Sequence, residues 1–126
     1  VTRLRHDCGA RGCYLAARFD PVIFDGLLPG GSSFINLDAW AEIGRRHLVI
    51  EHKGAGVPIP TDGQGRALRR LALVPGFTVW FIRPVAGMAG AWEWADLAER
   101  EPLAIVSDMN LRMMIKGWGE AARAAA

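Results

Sequence analysis

Asn36 to Lys53 reads NLDAWAEIGRRHLVIEHK, and the way this stretch doubles back decides how the rest of the chain is arranged. Asn36 to Ile43 predicts a strand, Gly44-Arg45 a two-residue turn and Arg46 to Lys53 the return strand. Glycine at the first turn position suits a type II′ hairpin, which needs a positive φ there. Ile43 then stands opposite Arg46, and stepping outward along both strands sets Asp38 across from Glu51. Strand side chains alternate with period two, and residues facing across a pair share a sheet face. One face therefore carries Asn36, Asp38, Trp40 and Glu42 with His47, Val49, Glu51 and Lys53. The other carries Leu37, Ala39, Ala41 and Ile43 with Leu48, Ile50 and His52, and its apolar character marks it as the expected core side.

Two carboxylates directly across a strand pair repel each other, and a cation between them reverses the sign. Hard divalent ions take oxygen ligands, and Mg²⁺ is usually held by one or two carboxylates plus water and substrate phosphate. Lys53 lies two residues beyond Glu51 on the same face, placed to hold a phosphate or an attacking water beside the ion. Asp38, Glu51 and Lys53 thus make a candidate phosphodiester-hydrolysing site. The plainer reading is a solvated strand face, since Glu-x-Lys is short. The apolar Leu48-Val49-Ile50 lead-in, the facing Asp38 and the scarcity of lysine, with Lys53 one of two, weigh toward chemistry.

At 126 residues the chain is expected to form one domain spanning 1–126, with a core at about 19–84 and an extension at about 85–126. Hydrophobic content of 51% and charged content of 22% are ordinary for a globular protein. No apolar run approaches 18 residues and no signal-peptide pattern appears, so the expectation is a cytoplasmic protein without a membrane partner. The net charge of +2 does not announce nucleic acid by itself, but arginines cluster at the N-terminus, at the hairpin tip (Arg45, Arg46) and on a predicted helix (Arg66, Arg69, Arg70). His6, Cys8 and Cys13 suggest half a zinc site, yet no second cysteine pair exists and His47 and His52 fall on opposite faces of their strand; two reduced cysteines are the simpler account.

Ala10 to Arg18 predicts a short helix, and Phe19 to Leu28 a first strand ended by Pro29-Gly30-Gly31. After the hairpin comes a Gly/Pro-rich loop, Gly54 to Pro60. Thr61-Asp62-Gly63-Gln64 then matches a capping box opening a helix with Gln64, Leu68, Leu71 and Ala72 on its inner face and its arginines outward. The unbroken apolar run from Phe77 to Ile82 predicts a buried strand, completing a βαβ crossover with parallel strands. Met88 to Trp94 reads as a loop or short ribbon, Leu103 to Val106 as an edge strand, and Ser107 as the cap of a helix to about Trp118, with the terminal AARAAA frayed.

Taken together, Asp38, the Glu51-His52-Lys53 triplet and Gln64 on the next helix resemble the PD-(D/E)xK nuclease superfamily, in particular its compact VRR-NUC and archaeal-type Holliday junction resolvase members. The likeness covers roughly Phe19 to Pro84. It implies an α/β, restriction-endonuclease-like mixed sheet with an αβββαβ core flanked by helices, here followed by an extra C-terminal helix. It implies that Asp38, Glu51 and the His52 backbone carbonyl bind Mg²⁺ or Mn²⁺, that Lys53 orients water or steadies the phosphate, and that Gln64 is accessory. The chain departs from the pattern in having Leu37 where the family's proline stands and only Asp7, Asp20 or Asp25 as a further acid from the N-terminal region. The expected activity is metal-dependent cleavage of DNA, selective for branched or junction structure, by a homodimer whose Arg45, Arg46, Arg66, Arg69 and Arg70 grip phosphates. The alternatives are a non-cleaving nucleic-acid-binding or assembly module on the same fold, and a single-strand DNA exonuclease.

Overall fold

The structure, a computed structural model, describes residues 27–29, 37–100 and 102–126. The hairpin forms in the expected register: β1 (Ala39–Ile43) runs antiparallel to β2 (Arg46–His52), with Ile43 opposite Arg46 and Ala39 opposite Ile50. Gly44 has φ +61°, and no non-glycine residue among those described has a positive φ. Only the first turn residue is therefore left-handed, as a type II′ turn requires. β1 starts later than expected because Asp38 leaves the ladder and uses its side chain instead, accepting the His52 backbone N–H at 2.8 Å.

From β2 the chain crosses through α1 (Gly63–Ala72) to β3 (Phe77–Pro84), which lies parallel to β2 with Val49 opposite Val79 and Glu51 opposite Phe81. β4 (Ala91–Asp96) and β5 (Ala104–Ser107) follow, each antiparallel to the strand before it. The result is a five-stranded mixed sheet in the order β1-β2-β3-β4-β5. α2 (Asp108–Ala124) closes the chain. The expected βαβ unit and edge strand are present, and the tryptophans of the expected ribbon belong to β4.

α1 begins one residue later than the capping box required. Its N-cap is Asp62, whose side chain accepts the N–H groups of Gln64 and Gly65, so Thr61 does not cap and Gln64 keeps its side chain free. The first turn lies hard against the preceding loop: a Cβ on Gly65 would stand 1.7 Å from the Pro60 carbonyl oxygen, so only glycine fits. Leu68 and Ala72 pack down onto Val49, Val79, Phe81 and Leu97. The expected core face is buried at Leu48, but it is not alone, because α1 covers the face that carries Val49 and Glu51. On the opposite face Leu48, Trp80 and Ile82 are buried while Ala39 and Ala41 stay exposed. Which side of a strand is core depends on where a helix lands, and none covers Ala39 and Ala41. Burying a side chain the size of Phe81 or Leu68 contributes about 1.5–3 kcal/mol.

α2 crosses that opposite face, joined to β4 by the Trp92 indole donating to Asp108 Oδ1 (3.1 Å) and meeting Ile43 of β1 near Gly119. The Ser107 hydroxyl accepts from Asn110 N–H at 3.0 Å, the predicted cap. The helix runs to Ala124 rather than ending near Trp118, and the expected fraying is not found, since Ala122 is 2% exposed. Small alanines let the last turn approach the hairpin, where a Cβ on Gly44 would lie 3.1 Å from that of Ala126. No helix among the described residues is long and apolar enough to cross a membrane. The expected helix at Ala10 to Arg18, the acids Asp7, Asp20 and Asp25, and Cys8 and Cys13 lie outside the described residues, as does the strand expected at Phe19 to Leu28 apart from Leu27 and Leu28, which are exposed bends.

Candidate active site

The carboxyl ends of β2 and β3 and the first turn of α1 meet at Glu51. This glutamate is 1% exposed, in the middle of an apolar face. A carboxylate there needs donors. Its Oε1 has two: Lys53 Nζ at 3.0 Å and Gln64 Nε2 at 3.0 Å. Lys53 reaches it because the two residues share a face, and its N–H continues the parallel ladder onto Ile82 O at 3.1 Å. Gln64 reaches it because Asp62 caps the helix. The second oxygen, Oε2, is buried and meets no donor.

Asp38 is the neighbour that explains the arrangement. Its carboxylate is near enough to act on Glu51 both as a charge and as a hydrogen-bond partner. Burial pushes the Glu51 carboxyl above its ordinary value, the Lys53 hydrogen bond pulls it back, and the Asp38 charge pushes it up again. The pair is thus held close against its own repulsion, with one Asp38 oxygen on the His52 amide and an oxygen of Glu51 without a donor. Such a donor set is anionic, oxygen-only and short of positive charge, which suits a hard divalent cation. Two side-chain carboxylates make up the set; among the described residues no three His, Cys, Asp or Glu side chains gather as ligands.

The arginines divide. Arg66, Arg69 and Arg70 are exposed on α1, the helix that also carries Gln64. Arg45 and Arg46 are exposed at the hairpin tip, the other end of β2 from Lys53 and about 20 Å away at the rise of an extended strand. The structure does not bring them to the carboxylates.

Sequence reasoning passed over Arg83. It follows an apolar run on β3, pairs with Glu93 on β4, and donates from Nη1 to the Val57 carbonyl at 2.7 Å. This half-buried ion pair ties down the loop between Lys53 and Gln64. A charged residue closing a buried strand was the available signal, since such a charge needs a partner.

No family model, curated protein or solved structure matches the chain.

Proposed function

We propose that the chain is a PD-(D/E)xK-type nuclease that hydrolyses DNA phosphodiester bonds with Mg²⁺ or Mn²⁺. The observation that carries this reading is the buried, donorless Glu51 Oε2 beside the Asp38 carboxylate, with Lys53 and Gln64 both committed to the other oxygen. The element order from β1 to β3, a hairpin followed by a parallel crossover, supports the corresponding restriction-endonuclease-like core.

Asp38, Glu51 and the His52 backbone carbonyl would hold the ion. When bound, it supplies neutralisation of charge developing on the phosphate and acidification of the attacking water. Gln64 fixes the Glu51 carboxylate plane. Lys53, with its side chain 30% exposed, presents an ammonium group between Glu51 and solvent, where it orients the water or steadies a non-bridging phosphate oxygen. Hydrolysis then forms one bond from the water oxygen to phosphorus and breaks one from phosphorus to the leaving oxygen. Arg66, Arg69 and Arg70 contact the backbone by charge, without reading bases. Paired cuts need two sites, which a homodimer supplies.

Labelled linear, flap and four-way DNA incubated with Mg²⁺ tests the reading, with Glu51→Gln in parallel. Cleavage that requires both the ion and the carboxylate supports it. DNA binding without Mg²⁺-dependent cutting assigns the chain instead to a non-cleaving module.

A further inference from the structure

Along the α1 face of β1, the residue after Asp38 in the same row is Trp40. It lies one pleat repeat, about 7 Å, from the acid and opposite Val49, two positions before Glu51 on β2. Trp40 is 57% exposed, whereas tryptophan is ordinarily among the more buried side chains. It is also held still. Its indole Nε1 donates to His47 Nδ1 at 3.0 Å, its ring meets His47 edge-on with centroids 5.7 Å apart, and it lies 6.0 Å from Phe77. His47 is itself stacked on Phe77 at 4.3 Å with an interplanar angle of 10°.

With its only polar atom satisfied and its ring braced from one side, Trp40 keeps an open aromatic surface facing solvent. Flat, sequence-tolerant partners for such a surface are nucleobases, and a base can use it only when its faces are not already taken by stacking within a duplex. Charge fits the same occupant. α1, whose Gln64 holds Glu51, carries Arg66 and Arg70 one turn apart on its exposed surface. Glu42, beyond Trp40 on the same row, is exposed and acidic and would turn a phosphate backbone away on that side.

Resting on the nuclease reading above, we propose that Trp40 stacks an unpaired base of the DNA strand being cut, so that the substrate carries a single-stranded segment beside the scissile phosphate. Flaps, gaps and frayed ends qualify. A fully paired four-way junction or continuous duplex does not.

The test is equilibrium binding of the full chain, with Ca²⁺ in place of Mg²⁺, to a labelled single-stranded oligonucleotide and to its duplex. The chains compared are the unsubstituted one, Trp40→Ala and Trp40→Phe. Trp40→Ala is expected to weaken single-strand binding roughly tenfold, the scale of one stacked base, with duplex binding unchanged and most of the loss restored in Trp40→Phe. Single-strand binding should also quench tryptophan emission, and less so in Trp40→Phe. Equal loss for both DNAs, no loss, or no single-strand binding by the unsubstituted chain overturns the proposal. Because the readout is binding, it separates from the nuclease reading: stacking without Mg²⁺-dependent cutting sinks the latter alone, and cutting that Trp40→Ala leaves indifferent to strandedness sinks the former alone.

Discussion

Among the described residues each face of the sheet is covered by one helix, yet the two faces are built for different ends. Under α2 the buried side chains are apolar: Leu48, Trp80 and Ile82 from the strands, Leu111 and Ala122 from the helix. Under α1 an equally apolar layer is interrupted by Glu51, and α1 contributes Gln64 to hold it. The first face also leaves one buried donor, the Trp94 indole N–H, without a partner, but it buries no charge. The second gives up some stability to keep a carboxylate short of hydrogen bonds, the usual mark of a site whose charge is completed by something that binds.

The hardest blow falls on the α1 face, with Phe81→Ala. Phe81 is fully buried next to Glu51 on β3, and its loss is expected to cost about 3–5 kcal/mol, read as a lower urea midpoint. An effect under 1 kcal/mol, below the range for such truncations, would show that the α1 layer is not the main core.

Glu51→Gln distinguishes the faces most sharply, because activity and stability should move in opposite directions. Mg²⁺-dependent cleavage is expected to fall by at least about a hundredfold, as losing a metal ligand implies. The metal-free protein should gain about 1 kcal/mol, a few degrees in Tm, since a neutral amide replaces an anion with an unsatisfied oxygen. Destabilisation in the absence of metal would mean that the glutamate is an ordinary structural ion pair with Lys53.

Gly65→Ala is expected to cost about 1–3 kcal/mol through overpacking, because the new Cβ collides with Pro60. Cleavage should drop beyond what the melting curve explains, since the helix can relieve the clash only by carrying Gln64 away from Glu51. Ser107→Ala, on the α2 side, should cost about 1 kcal/mol and leave cleavage untouched.

The smallest effect is the dependence on pH. Glu51 has a folded-state value raised above its ordinary 4.5, so the folded chain holds this proton more tightly than the unfolded one. Below the ordinary value both states are protonated and there is no penalty. As pH rises through that value and then the raised one, stability is lost, and the loss is complete above it. The Tm difference between Glu51→Gln and the unsubstituted protein in EDTA should therefore shrink as pH falls from neutral toward 5. A constant difference would place the penalty elsewhere.

The register of the hairpin was readable because a single glycine fixed the turn and alternation did the rest. The β2–α1–β3 crossover was readable for a similar reason, one helical period set between two apolar runs. The burial of the second face was missed because the row Asp38, Trp40, Glu42, His47 looks solvated, and nothing local says that α1 will cover Val49 and Glu51 but stop short of β1. Thr61 and Asp62 compete for the same cap, and their difference lies in the approach of Pro60 to Gly65, which spacing does not encode. The length of α2 escaped because its last turn is packed through alanine, whose small size makes contacts without leaving an apolar stripe. That Lys53 and Gln64 both reach Glu51 follows from alternation and helical spacing, whereas the partners of Arg83, Glu93 on β4 and the Val57 carbonyl, are set only by the sheet pairing and the loop.

The missing side chain at Gly65 has one more consequence, for how this protein tolerates change in length. The end of the loop at Pro60 is wedged into the helix, so an added residue there would have nowhere to go. At the other end Gly54, Ala55 and Gly56 are exposed, and Gly56 already has a left-handed backbone. Insertions should accumulate beside the lysine and be refused beside the glutamine, leaving a buried carboxylate that is elastic on one flank and anchored on the other.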